Sequence, residues 1–260
     1  MSHSPRKKKS LGQHFLRDTN MIHKIVSSIP AQKEDRVIEI GPGDGAITEY
    51  LFSTFSDFSA IEIDPVMIEH LAEKLPDLTV YKNDILKTDW SDFASDDKEI
   101  HIIGNLPYYI TSQILFSLLE RRSMLNTATL MMQKEVAERI VAEPRTKQYG
   151  ILSVQTQLMC TPEILFDVPP AVFSPPPNVD SSVIRLVFDK GPLECSDDHL
   201  KTVVRMAFNQ RRKKLSNALK RLDTDLPEEE FDFNLRAEAL EPAMYEKLTA
   251  RLEQLGTFQP

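Results

Sequence analysis

Between positions 36 and 188, short apolar runs rich in β-branched residues alternate with stretches whose apolar side chains recur at helical spacing. This alternation constrains the chain more than any other feature, because it predicts parallel strands joined through crossover helices and a sheet covered on both faces. The runs are Arg36-Val37-Ile38-Glu39-Ile40, Phe58-Ser59-Ala60-Ile61-Glu62-Ile63, Leu78-Thr79-Val80-Tyr81, Ile100 with Ile102 and Ile103, Ala128-Thr129-Leu130-Met131-Met132, Glu163-Ile164-Leu165-Phe166-Asp167-Val168 and Ser181-Ser182-Val183-Ile184-Arg185-Leu186-Val187-Phe188. Met21, Ile22, Ile25, Val26 and Ile29 share one helical face that Pro30 ends, and further helices are expected from about Ala46, over 133–140 and over 150–159. A stiff proline-rich loop, 169–180, separates the last two runs. Near Lys190-Gly191-Pro192 the pattern changes, and from Ser196 onward it is helical. The expectation is an α/β fold: a mostly parallel seven-stranded sheet over 1–190, preceded by a basic arm, and a small all-helical domain over 191–260.

Open α/β sheets bind ligands at the carboxyl ends of their strands, and polar groups cluster there in this sequence. Gly41-Pro42-Gly43-Asp44-Gly45 follows the first run. Glycines there allow a ligand close to the backbone, but the third comes one position too early for the dinucleotide fingerprint, which favours a ligand other than NAD. About 20 residues further on, Glu62 and Asp64 end the second run, at the separation where a carboxylate binds ribose hydroxyls. After the third run, Asp84 can accept from an adenine amino group while Ile85 packs on the ring. Each of these carboxylates alone is more often a turn residue or helix cap; their common position after successive strands singles them out.

The fourth run leads into Gly104-Asn105-Leu106-Pro107-Tyr108-Tyr109. Gly104 and Pro107 are expected to stop the strand. The Asn105 side chain and the Leu106 carbonyl supply two acceptors that can hold both hydrogens of a planar exocyclic amine and make its nitrogen more tetrahedral. Pro107 fixes the turn and restricts Leu106. Tyr108 can stack on a base. The competing reading is that Asn105 caps a helix starting near Thr111 and both tyrosines are core.

With 41% hydrophobic residues, the 260-residue chain can build a substantial core. No apolar run approaches a bilayer span and the lysine-rich start lacks the apolar core of a signal peptide, so a cytoplasmic location is expected. Cys160 and Cys195 form no Cys-x-x-Cys pair and the six histidines are scattered, so neither a disulfide framework nor a metal site is expected. The formal charge of −8 argues against nucleic acid as a partner, but its distribution argues the other way. Arg6-Lys7-Lys8-Lys9 is a basic run, and positions 205–221 carry Arg205, Arg211, Arg212, Lys213, Lys214, Lys220 and Arg221 without one acidic residue. Arg145, Lys147 and Tyr149 lie in a polar loop that can also reach RNA.

Together these residues give a close resemblance to the KsgA/RsmA family of ribosomal RNA adenine dimethyltransferases. The resemblance runs from Lys9 to about Lys220, through Gly12-Gln13-His14-Phe15-Leu16, Glu39-Ile40-Gly41-Pro42-Gly43, Glu62-Ile63-Asp64, Asn83-Asp84, Gly104-Asn105-Leu106-Pro107-Tyr108, Gln133-Lys134-Glu135-Val136, Phe173-Ser174-Pro175-Pro176-Pro177-Asn178-Val179-Asp180-Ser181 and Phe208-Asn209-Gln210-Arg211-Arg212-Lys213. It implies a Rossmann-like, class I S-adenosylmethionine-dependent methyltransferase domain and a C-terminal helical domain. It further implies S-adenosylmethionine as methyl donor, S-adenosylhomocysteine as product, and no metal. The implied substrate is a pair of adjacent adenosines in the 3′-terminal hairpin loop of small-subunit (16S) rRNA, each converted to N6,N6-dimethyladenosine within an immature small subunit by a monomeric enzyme. Carried over by motif, His14, Leu16, Gly41, Gly43, Glu62, Asp84, Ile85 and Asn105 contact the donor. Asn105, Leu106, Pro107, Tyr108 and Phe173 serve the reaction, Tyr108 and Phe173 sandwiching the base, although from the residues alone Phe173 reads as a core aromatic beside a proline turn. The nearest competing readings are a large-subunit rRNA methyltransferase of the macrolide-resistance type and a ribosome-assembly factor whose main work is binding.

Overall fold

The computed structural model describes residues 14–95, 97–222 and 227–258, and the described residues fall into two compact units, one from 14–137 and 163–188 and the other from 138–162 and 189–258. In chain order the elements are β1 (Phe15–Leu16), α1 (Thr19–Val26), β2 (Arg36–Ile40), α2 (Thr48–Thr54), β3 (Asp57–Glu62), α3 (Pro65–Lys74), β4 (Thr79–Lys82), β5 (Ile100–Asn105), α4 (Thr111–Leu119), β6 (Thr127–Gln133), α5 (Lys134–Ile140), α6 (Ile151–Met159), β7 (Thr161–Val168), β8 (Phe173–Ser174), β9 (Ser181–Val187), α7 (Asp197–Asn209), α8 (Leu215–Ala218) and α9 (Pro242–Gln254).

Among the described residues the main sheet has seven strands in the order β4-β3-β2-β5-β6-β9-β7. From β4 to β6 all neighbours are parallel, whereas β9 runs antiparallel to β6. The chain winds outward from β2 through β3 to β4 and then returns to place β5 on the other side of β2. Such a reversal opens a crevice at the carboxyl ends of β2 and β5. The central strands are apolar on both faces: Val37, Ile38, Ile102 and Ile103 are all buried, as strands covered on two sides require.

Local chemistry sets the element ends. Asp18 caps α1 by accepting from the Met21 N–H at 2.8 Å, and Asp64 caps α3 by accepting from Val66 at 3.1 Å, with Pro65 in the first turn. The strand expected to stop at Gly104 continues through Asn105, because Gly104 pairs with Leu130 and Asn105 with Met131 on β6. Gly104 also lies opposite Ile40 of β2, where a Cβ would come within 2.9 Å of the Ile40 carbonyl oxygen. The sequence did not announce the second, two-stranded sheet, in which β1 pairs antiparallel with β8, Phe15 opposite Ser174 and Leu16 opposite Phe173.

In the second unit α6, α7 and α9 pack together. Leu200, Val203, Val204 and Ala207 form the buried stripe of α7. Tyr149 and Tyr245 are fully buried, each hydroxyl donating at 2.7 Å to a carbonyl, Leu240 and Ala237 respectively. Tyr149, placed in a polar RNA-facing loop on sequence grounds, is therefore a core residue. The first unit ends at Phe188, and the stretch Glu138–Pro162 belongs with the C-terminal unit. The reason is packing: α6 buries Val154 and Leu158 in the helical unit and contributes no strand to the sheet. Among the described residues, no helix is long and apolar enough to cross a membrane.

Candidate active site

A cavity of about 340 Å³ opens at the carboxyl ends of β2, β3 and β5 within the first unit. Its floor is the loop after β2, where Gly41, Gly43 and Gly45 hold φ of 66°, 57° and 82°. These angles admit glycine readily and strain any other residue. At Gly43 a Cβ would also sit 3.0 Å from the Phe15 ring, so the loop and β1 pack too closely for a side chain there. Arg17, just past β1, pairs with Asp44 in the same loop and ties the two stretches together.

Glu62, at the end of β3, forms one wall. Its carboxylate accepts from the N–H groups of Ile63 and Asp64 at 2.8 Å and Gly43 at 3.2 Å. Burial pushes its pKa up; the three backbone donors pull the other way without overcoming it. Asp64 is spent on capping α3 and does not line the cavity, so of the two carboxylates only Glu62 faces a ligand. Asp84 lines the cavity, with Oδ1 accepting from Leu86 at 3.0 Å to shape its turn, and the buried side chain of Ile85 lies beside it.

Sequence reading passed over Glu39 as a site residue. It lies within β2, only 3% exposed, lines the cavity, and has one carboxylate oxygen without a hydrogen bond. Burial raises its pKa to about 8, and the nearby Glu62 charge pushes in the same direction. The available signal was a carboxylate inside an otherwise apolar central strand, where an unpaired charge is costly.

Asn105 is placed by the strand itself. Its Nδ2 donates to the His14 carbonyl at 3.2 Å, and since a carbonyl can only accept, this fixes which way the amide faces. Oδ1 has no protein partner among the described residues. The capping alternative fails: α4 starts at Thr111 with Ile110 in the capping position and no side-chain cap. The Tyr108 hydroxyl shares a 2.8 Å hydrogen bond with Ser181, and its ring stacks on His14 with centroids 5.9 Å apart. His14 is held in turn by Nδ1, 2.9 Å from the Pro175 carbonyl. Leu16, Leu106 and Pro107 complete this side, with Tyr109, 61% exposed, at its edge.

Phe173 departs from the base-stacking role the resemblance implies and takes the core position its own sequence context suggests. Instead of lining the cavity it is buried in the apolar core with Leu16, Ile22 and Ile25, because pairing β8 with β1 sets it opposite Leu16.

A family model described as ribosomal RNA adenine dimethylase matches residues 4–250. The chain belongs to the ribosomal RNA adenine dimethylase family. A relative from Salinibacter ruber, named ribosomal RNA small subunit methyltransferase A, is 47% identical over 257 residues, covering 95% of this chain and 86% of its own. Among solved structures, a dimethyladenosine transferase from Plasmodium falciparum is similar with a TM-score of 0.77 at 26% identity, covering 94% of this chain and 98% of that one. The 23S rRNA methyltransferase ErmE follows at 0.68 and 27%, covering 92% and 100%. The fold of this dimethylase is accordingly the Rossmann-like methyltransferase fold.

The family consists of S-adenosylmethionine-dependent methyltransferases, and the cavity of this dimethylase suits that molecule. Glu62 offers oxygens to ribose hydroxyls with the ionisable Glu39 close by, the glycine loop leaves backbone space, and Ile85 offers an apolar surface for a purine.

Of the basic residues between 205 and 221, Arg205, Arg212, Lys213, Lys214, Lys220 and Arg221 are exposed. Arg211 is consumed internally: Nε donates to Glu238 at 2.7 Å, and its terminal nitrogens donate to the carbonyls of Lys147 and Thr146 at 2.9 Å. Lys214 donates to Asn234 at 2.9 Å. Arg145 and Lys147 are exposed, and the basic run Arg6 to Lys9 lies outside the described residues.

Proposed function

We propose that this dimethylase transfers methyl groups to N6 of two adjacent adenosines in the 3′-terminal hairpin loop of small-subunit rRNA, acting as a monomer on an immature small subunit in the cytoplasm. The observation that carries this reading is the orientation of Asn105: with Nδ2 committed to His14, Oδ1 is left as an acceptor beside the cavity. An acceptor there suits an exocyclic amine, whose two hydrogens need oxygen partners.

When bound, S-adenosylmethionine supplies a methyl group on a positively charged sulfur that an amine nitrogen can displace in line. Glu62, Gly41, Gly43, Asp84, Ile85, His14, Leu16 and Asn105 are the residues that would hold it, with Glu39 beside them as an acid that is protonated below about pH 8 and gains its charge as pH rises. Asn105 and the Leu106 carbonyl accept from the adenine amine and direct its lone pair, Pro107 fixes their spacing, and Tyr108 stacks on the base. Holding the reactants in register supplies much of the acceleration. A loop adenosine is already unpaired, so turning it out costs little. With Phe173 in the core, the second face of the base falls to another group; Tyr109 at the edge of the cavity is the available ring. The exposed cations Arg205, Arg212, Lys213, Lys214, Lys220 and Arg221 serve RNA backbone contacts, and Arg211 ties segments of the helical unit together.

Higher identity to small-subunit enzymes than to ErmE favours the small-subunit substrate over the resistance-type reading. The test supplies labelled donor to the purified protein with small ribosomal particles lacking the modification, followed by digestion of the RNA. Dimethyladenosine confined to the 3′-terminal hairpin is expected. Label in large-subunit RNA would select the resistance-type substrate, and tight particle binding without label would make assembly the principal role.

A further inference from the structure

At the end of the sheet opposite the cavity, three potential metal ligands converge from two neighbouring strands. Asp35 directly precedes β2 and Glu99 directly precedes β5, and the parallel register sets Arg36 beside Ile100 and Val37 beside His101. One ligand atom from each of Asp35, Glu99 and His101 lies within 4.8 Å of the others.

His101 is the informative member. It is 1% exposed, its Nδ1 lies 2.8 Å from Thr127 Oγ at the start of β6, and its Nε2 is buried without a hydrogen-bond partner. Nε2 sits 3.4 Å from Asp35 Oδ2 and 3.5 Å from Glu99 Oε2. Both separations exceed the usual N–H···O range of about 2.7–3.2 Å. They match the edge of a coordination tetrahedron: metal–ligand bonds of about 2.0–2.2 Å put neighbouring ligand atoms roughly 3.3–3.6 Å apart.

The surroundings agree with this geometry. If Nδ1–H donates to Thr127, the lone pair resides on Nε2, facing the two carboxylates; such an outer partner commonly orients a ligating imidazole. Asp35 Oδ2 is steadied by the Gln32 N–H at 2.6 Å. The Glu99 side chain is 62% exposed, which leaves an approach from solvent and room for a water ligand.

We infer that Asp35, Glu99 and His101 form a binding site for a divalent transition-metal ion, best matched by zinc with one imidazole nitrogen, two carboxylate oxygens and a water. An imidazole ligand disfavours magnesium and calcium, which prefer all-oxygen shells. The ion would clip β2 to β5 at the ends remote from Gly41 and Asn105. Its role is to hold the two strands in register, and it touches no reacting group. The site does not depend on the methyl-transfer reading.

The test uses the full-length protein freed of metal with a chelator, then titrated with zinc by calorimetry and with cobalt by visible absorption. One equivalent of zinc should bind and raise the melting temperature, while magnesium at equal concentration should not. Glu99→Gln, at a largely exposed side chain, should weaken zinc binding about tenfold or more, and Thr127→Val should produce a loss of about 10–100-fold. His101→Gln should abolish binding; if that variant does not fold, Glu99→Gln decides alone. Donor affinity should be unchanged in Glu99→Gln. Absence of zinc binding to the folded wild-type protein, or undiminished binding in Glu99→Gln, would overturn the assignment.

Discussion

Asn105 donates its side-chain amide to the backbone carbonyl of His14, joining the end of β5 to a residue 91 positions earlier. The consequence is that Asn105 presents an oxygen, not a nitrogen, to anything beside it in the cavity. Asn105→Ala should lower kcat by about 10²-fold or more, the loss that misplacing a reacting group produces, with a much smaller loss of donor affinity from the contact it removes. Asn105→Asp should not rescue it, because an ionised carboxylate cannot donate to His14 and the two oxygens repel. Single-turnover methyl transfer with matched donor-binding measurements separates the two effects.

Tyr108 combines a ring with a tethered hydroxyl. Tyr108→Phe loses the bond to Ser181 and should cost about 1 kcal/mol of stability while keeping most activity. Tyr108→Ala also loses stacking on the base, a contribution of roughly 1–3 kcal/mol, and should raise KM for RNA about 5- to 150-fold. Equal behaviour of the two variants would argue against the stacking role.

Glu39 gives the protein a pH signature. Its pKa is raised from 4.5 to about 8 by folding, so the folded state holds the proton more tightly than the unfolded chain. Stability attributable to this group is therefore present in full below about pH 4.5 and lost as pH rises toward about 8, by on the order of a few kcal/mol. Urea unfolding of the donor-free protein across that range should show a decline that Glu39→Gln removes. Affinity for the cationic donor should run the other way, rising with pH toward about 8 in the wild type and staying flatter in the variant.

Arg211 and Arg212 are neighbours in sequence with different work. Arg211→Ala breaks the hydrogen bonds to Glu238, Lys147 and Thr146 and should destabilise the protein by roughly 1–3 kcal/mol. Arg212→Ala with Lys213→Ala should leave stability within about 0.5 kcal/mol, weaken RNA binding and lower the salt slope by about 1 for each phosphate no longer neutralised. Thermal melts and RNA titrations at several salt concentrations distinguish the pair.

Gly104→Ala should be more damaging than a methyl group suggests. The added Cβ would press on the Ile40 carbonyl and force β5 from β2, for which overpacking costs of about 1–3 kcal/mol are typical. Because these strands carry Asn105 and Gly41, donor affinity should fall with stability, as calorimetry and chemical unfolding can show.

The sheet was legible in the sequence wherever periodicity was strong: β2 has the expected bounds, and the others shift by a residue or two. Gly104 misled because local turn propensity was outweighed by pairing with β6. The cavity residues were legible because they follow strand ends, and Glu39 was missed because it lies inside one. Phe173 and Arg211 were misassigned for a common reason. An aromatic ring and a guanidinium have the same sequence signature whether they meet a ligand or the protein's own interior, and only long-range partners decide. Likewise Asp35, Glu99 and His101 show no ligand spacing, since parallel strands bring together residues far apart in sequence.

The pairing of β1 with β8 has a consequence for the order in which the protein becomes competent. Leu16 lies opposite Phe173, and Arg17 donates to the Val172 carbonyl at 2.8 Å, so this wall of the cavity joins an early stretch of chain to a later one. During synthesis, every strand from β2 to β6 can emerge before the partner of β1 exists. A nascent chain can thus build most of its sheet while this cavity is still open on one side, and the wall closes only once about two thirds of the chain, as far as Phe173–Ser174, has been made.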